Sequence, residues 1–154
     1  MKSLLAAALA AALLASPALA QDAWTAHKPE VAAVDAGVRA PLEAYLRGHA
    51  TGSQDAFREA FHPQARVWGM RNGALVQMTA EEYIGRAPGT PAPDEAQRRR
   101  WIDSIEVVGD TAVAKITLDY PGVRFTDYMT LARIDGRWLI VHKQFQAEPK
   151  PVAT

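Results

Sequence analysis

An α+β domain is expected, with helices in its first half and a long antiparallel sheet in its second. Three observations carry that expectation. Apolar residues recur at three- and four-residue steps from Val31 to His49, the stripe of an amphipathic helix. Beyond residue 100 the period switches to two, as along half-buried strands. Asp135-Gly136 separates two long strand-like runs within residues 123–146, and both residues tolerate the positive φ of a tight primed hairpin turn. Helical segments first and strands last is the pattern of an α+β fold.

The elements follow in chain order. Val31, Val34, Val38, Leu42, Tyr45, Leu46 and His49 form the helical stripe, interrupted by Pro41. Proline lacks a donor N–H and clashes with the preceding turn, so a kink or a fresh start is expected there. Gly52 ends this helix, and Ser53 caps a second, short one whose buried pair is Phe57 and Phe61. Residues 66–78 read as a hairpin about Asn72-Gly73. Thr79-Ala80-Glu81-Glu82 is a capping box opening a third short helix through Ile84. Residues 88–93 form a Pro/Gly loop, either a lid or a connector. Trp101, Asp103, Ile105 and Val107 then alternate on one strand, and Ala112, Ala114, Ile116 and Leu118 on the next. Gly109-Asp110 and Pro121-Gly122 supply the turns.

Residues 1–20 read as a cleavable signal peptide. Lys2 is the positive start, residues 4–15 are apolar but too short to span a bilayer, and Ala18-Leu19-Ala20 is a small-x-small cleavage site. No lipid-attachment Cys stands at that point, so a released periplasmic or secreted protein is expected, without membrane anchoring after cleavage. Residues 21–30 read as an N-terminal tail, 31–146 as one domain and 147–154 as a C-terminal tail. The chain of 154 residues has no Cys, which removes thiolate chemistry and Cys-ligated metals. Without Lys2 the balance is 16 basic residues, one fewer than the 17 of the whole chain, against 17 acidic ones. A near-neutral domain matches neither nucleic acid nor an anionic membrane. Arg98-Arg99-Arg100 reads as a solvated strand entry. No metal site is expected, because no two His are close enough in sequence to chelate locally. There is no Gly-rich nucleotide motif and no nucleophile elbow. No cofactor is expected.

With Tyr45, Gly52-Ser53, Phe57, Phe61-His62-Pro63, Ala65-Arg66-Val67, Asn72-Gly73 and then Asp135-Gly136-Arg137-Trp138-Leu139-Ile140-Val141 in this order, the chain resembles the nuclear transport factor 2 (NTF2)-like superfamily. Within it the chain is most similar to the SnoaL-like and lumazine-binding branch. The resemblance covers residues 31–146. It implies a cone: a strongly bent sheet wrapped round the helices, a pocket at the wide end, and a homodimer through the outer sheet face. Steroid-isomerase-like members carry a catalytic Tyr on the first helix, a place that Tyr45 takes. Their carboxylate base falls on the first strand, where this chain has Gly69, which cannot accept a proton. Dehydratase-like members use two His near an Asp, and no matching pair is apparent.

Candidate site residues follow from their faces. Tyr45 and His49 lie one turn apart on the buried stripe; Tyr45 could donate to a developing oxyanion or simply pack in the core. Asp103 shares its expected face with Trp101, and Asp127 with Phe125, Met129 and Leu131. A carboxylate on an apolar face must raise its pKa or pair with a cation, so each is a proton-transfer candidate. The alternative is an ion pair with Arg124, Arg133 or Lys143. Asp103 is preferred, with Trp101 as a stacking surface. His142 follows Trp138 and Ile140 at two-residue steps and could shuttle a proton, or it belongs to a dimer face. Trp68 and Met70 would line a wall for a planar ligand, with Tyr83 at the pocket mouth.

Three functions are therefore expected. The first is binding of a small apolar or aromatic molecule without an established catalytic set, which Gly69 favours. The second is a cofactor-independent lyase, isomerase or cyclase using Asp103, Asp127 or His142 as proton carrier and Tyr45 as oxyanion donor. The third is a dimeric interaction module.

Overall fold

The computed structural model describes residues 36–151, which fall in one compact unit spanning residues 31–154. The expected signal peptide, the expected N-terminal tail, the expected start of the first helix at residues 31–35 and the last three residues of the expected C-terminal tail lie outside the described residues. Helix α1 is Ala36–Thr51 and α2 is Gln54–Ala60. Strands β1 (Phe61–Arg71) and β2 (Ala74–Thr79) lead to α3 (Ala80–Ile84). A 3-10 turn at Glu95–Gln97 precedes β3 (Arg99–Val108), β4 (Thr111–Tyr120), β5 (Val123–Ile134) and β6 (Arg137–Pro149).

The local signals act as expected at the punctuation points. Asn72 and Gly73 sit at φ 52° and 74°, and Asp135 and Gly136 at 49° and 78°, the doubly positive pattern of a primed hairpin turn. The Ser53 side chain caps α2 by accepting from the Ala56 N–H. Thr79 and Glu82 satisfy each other's backbone N–H groups in a complete capping box. The loop before β3 is tied down, since the Gly89 N–H donates to the Gly52 carbonyl at 2.9 Å.

Three expectations about element boundaries change. Of the two outcomes expected at Pro41, the fresh start does not occur: α1 continues through it with Pro41 buried, and packing of the apolar face against β6 holds the helix. Phe61 is not on the second helix. The residues before Pro63 leave helical backbone, Phe61 takes φ −96° and ψ 142°, and it opens β1 instead. The last strand runs to Pro149, three residues into the segment expected to be tail.

The six strands form one curved, open sheet in the order β2-β1-β6-β5-β4-β3. The hairpin β1–β2 joins the meander β3–β6 by parallel pairing of β1 with β6, and every other neighbour is antiparallel. The helices lie against the inner face. Leu42 and Tyr45 from α1 meet Val67, Ile116, Met129, Leu131 and Ile140 from the sheet, all essentially without solvent exposure.

Pairing is also irregular in β1 between Phe61 and Arg66, and two bulges in the meander decide which residues of β3 and β6 face inward. In β3 the pairing shifts between Ile102 and Ser104, leaving Asp103 as the extra residue. In β6 it shifts where Thr130 pairs with His142 but Leu131 pairs with Ile140, leaving Val141 as the extra residue. A bulge bends its strand, breaks strict alternation and sharpens the local twist. After Val141 the inner face continues with Lys143, Phe145 and Ala147, all buried.

Candidate active site

The inner face and the helices enclose a cavity of about 640 Å³ at the open end of the sheet. Tyr45 and His49 reach it from consecutive turns of α1, their rings in edge contact at 4.7 Å between centroids. Tyr83 comes from α3, Tyr120 from β4, and Lys143 and Phe145 from β6. Asp127, on β5, is fully buried behind this wall.

These groups form one continuous polar series. Asp127 and Lys143 make an ion pair through Oδ1 and Nζ, with 0% and 3% side-chain exposure. The Tyr45 hydroxyl donates to Asp127 Oδ2 at 2.6 Å. The Tyr83 hydroxyl donates to the Tyr45 oxygen at 3.3 Å. His49 Nε2 lies 2.8 Å from the Tyr83 oxygen. Each hydroxyl has a single proton, so once both are directed toward Asp127 the His49 Nε2 must be the donor to Tyr83. The order of donation is then His49, Tyr83, Tyr45, Asp127.

The electrostatics agree with that order. Burial holds the His49 pKa well below its usual value, and the nearby Lys143, Arg100 and Arg98 charges lower it further, so the imidazole is neutral near pH 7. Burial and the Asp127 charge push the Tyr45 hydroxyl well above the usual tyrosine range. Tyr83 is raised in the same way. Burial lowers the Lys143 pKa, against the opposing pull of Asp127. The Lys143 ammonium also sits 5.0 Å from the Phe145 ring centroid and 5.3 Å from that of Tyr45, within range of cation–π attraction.

Of the residues nominated from sequence, Tyr45, His49, Tyr83 and Asp127 converge here. The other five do not. Asp103 and Trp101 lie on the outer face of β3, with Trp101 41% exposed. There the Trp101 indole N–H donates to Asp103 Oδ1 at 2.9 Å and the Thr117 hydroxyl to Oδ2 at 2.8 Å. The bulge at Asp103 is the reason they part from Ile105. Before it, Ile102 pairs with buried Ile116; after it, Ile105 pairs with buried Ala114. His142 is likewise turned outward by the bulge at Val141, and its ring lies 6.4 Å from that of Trp68. Trp68 and Met70 alternate with the inward Val67 and Gly69 and therefore face out.

Lys143 and Phe145 were not nominated for the cavity, since strict alternation from Trp138 puts His142 there instead. The alternation Lys143, Phe145, Ala147 is the available signal once a bulge is admitted. Phe145 also accounts for Gly69. A Cβ on Gly69 would collide with the Phe145 ring. An aromatic ring thus occupies the space above Gly69, and the buried carboxylate of this cluster stands on β5.

A few helices packed against a curved, open six-stranded sheet is the NTF2-like fold. Three solved NTF2-like proteins of unknown function share the architecture. Those from Shewanella baltica OS155, Silicibacter pomeroyi DSS-3 and Methylobacillus flagellatus KT are each 26% identical to this chain, with TM-scores of 0.66, 0.65 and 0.65. They cover 74%, 73% and 79% of this chain, and 93%, 94% and 96% of their own. The family model described as "Putative lumazine-binding" matches residues 33–146, and the chain belongs to that family. A further relative, the protein named Aldolase FrzH from a Cladobotryum species, is 25% identical over 108 residues, which is 69% of this chain and 85% of the relative.

Proposed function

We propose that the protein binds a small, largely apolar carbonyl compound in this cavity and moves a proton on its α-carbon without a cofactor, as a lyase, isomerase or cyclase does. One observation carries the reading: the unbroken series from His49 through Tyr83 and Tyr45 to Asp127 and Lys143, along the wall of a cavity of about 640 Å³. The series accounts for every charge in such a step. Neutral His49 takes the α-proton on Nδ1 and releases its Nε2 proton to Tyr83, which passes one to Tyr45, which passes one to Asp127. The imidazole ends uncharged. Asp127 ends protonated, so the Lys143 ammonium loses its counter-charge as an enolate oxygen develops beside it and can pair with that oxygen instead. The name of the aldolase relative agrees with enolate chemistry.

The test is hydrogen–deuterium exchange at the methyl group of acetophenone in D₂O, followed by proton NMR. The expected result is exchange well above the buffer rate that falls by about 100-fold in Tyr45→Phe or His49→Gln. Exchange no faster than buffer would sink the catalytic step and leave small-molecule binding alone.

Two further properties belong to this proposal. Export is supported by Lys2, the apolar residues 4–15 and Ala18-Leu19-Ala20; an intact mass beginning at Gln21 for protein recovered from the periplasm or medium tests it. A homodimer through the outer sheet face is supported by Trp68, Trp101 and Tyr128, which are 44%, 41% and 57% exposed on that face. Light scattering on wild type and Tyr128→Lys tests that pairing.

A further inference from the structure

We infer that the ligand of this cavity is an organic anion, a carboxylate or phosphate ester, whose charged end is held by Arg71 and Arg86. The inference rests on reading the cavity as a ligand site but not on the proton-transfer step. Four cationic side chains line the cavity: Arg71, Arg86, Arg98 and Lys143. Among the described residues no Asp or Glu lines it.

Two of the four cations are already neutralised from outside the cavity. Lys143 is paired with Asp127. Arg98 is paired with Asp94 at 2.8 Å and lies over the Tyr120 ring at 4.4 Å. Arg71 and Arg86 have no described carboxylate within 4 Å, although the Arg86 charge helps to lower the pKa of the exposed Glu82. Arg71 sits at the end of β1 beside the Asn72-Gly73 turn, with its guanidinium 5.3 Å from the Phe125 ring centroid. That contact orients the group and leaves its N–H donors available. Arg86 follows α3 three residues after Tyr83, and its backbone N–H donates to the Tyr83 carbonyl at 3.2 Å. The field of Arg71 reaches the polar series as a small contribution beside that of burial, opposing the rise of the Tyr83 pKa and adding to the fall of that of Lys143.

A chain of zero formal net charge thus places two guanidinium groups without a close ion-pair partner in the lining of an otherwise aromatic cavity. Arginine's planar fork suits bidentate pairing with a carboxylate or phosphate. Near a low-dielectric wall such a pair is stronger than in open water. An apolar body against Phe125, Phe145 and Val123 with an anionic group at the rim satisfies both parts of the lining.

The test is isothermal titration of the full-length mature protein with 2-naphthoate, 2-naphthyl phosphate and the neutral, nearly isosteric 2-naphthamide. The expected result is binding of at least one anion ten-fold or more tighter than the amide. That preference should weaken with added salt and fall to two-fold or less in Arg71→Ala/Arg86→Ala. Both arginines are exposed, so the variants should fold, and circular dichroism with an unchanged melting temperature checks this. Which anion binds tighter separates a carboxylic acid from a phosphate ester. Amide binding equal to that of both anions, an anion preference that survives the double variant, or no binding by any probe at millimolar concentration overturns the inference. Acetophenone exchange and anion preference are read separately, so either can fail while the other stands.

Discussion

Asp103 and Asp127 are carboxylates on strands of one sheet, and each accepts a short hydrogen bond from a hydroxyl, Thr117 for the first and Tyr45 for the second. Their surroundings are otherwise opposite. Asp103 stands on the outer face beside the exposed Trp101, where water can solvate its charge. Asp127 has no solvent exposure and a buried lysine as its counter-ion. An ionised carboxylate in that position costs several kcal/mol of desolvation unless a cation and donors offset it. The comparison teaches that an Asp on a strand with apolar neighbours is informative only when the inner face of the strand is known. It also predicts that equivalent substitutions at the two sites have very unequal effects.

The largest effect is expected at Asp127. Asp127→Asn leaves the Lys143 ammonium buried without a counter-charge and should lower unfolding free energy by about 3 kcal/mol, measured by urea denaturation. Asp127→Asn/Lys143→Met removes both charges and should recover at least half of that loss; a double variant less stable than Asp127→Asn would contradict the pairing. The second effect is on pH dependence. The folded-state pKa of His49 is depressed, so the folded chain binds fewer protons than the unfolded one below about pH 6.5. Stability from this group is therefore complete above about pH 6.5 and is lost as pH falls, with a slope of at most about 1.4 kcal/mol per pH unit. His49→Asn should flatten that slope in denaturation curves taken from pH 7 down to pH 5. The third effect is small. Asp103→Asn should cost about 1 kcal/mol or less. The smallest concerns ligands: Trp101→Ala should change the affinity of any cavity ligand by less than two-fold, and a larger loss would place Trp101 on the wrong face here.

What could be read in advance divides along the bulges. Both primed turns carry their own chemistry in Asn72-Gly73 and Asp135-Gly136, and the capping box does so in Thr79 and Glu82. Those local rules placed the hairpins and α3. Alternation placed Asp127 correctly because β5 keeps strict period two from Val123 to Leu131. The helical period put Tyr45 and His49 on one stripe. Alternation failed in β3 and β6, where one extra residue reverses the faces beyond it. Neither Asp103 nor Val141 is a Gly or Pro, so no turn chemistry marks the defect. Trp68 and Met70 failed for a different reason. An exposed aromatic row on the outer face has the same composition as a ligand wall, and only the core around Val67 and the Phe145 ring over Gly69 distinguish the two sides.

The irregularity at Val141 has a consequence for how this interior tolerates deletion. If Val141 were absent, His142 would follow Ile140 directly, so Ile140 and Lys143 would still point inward, His142 outward, and Thr130 and Leu131 would keep their partners. Loss of that codon would straighten the strand and spare the ion pair. A relative aligned with a gap at this point should therefore keep a lysine at the same place in its interior.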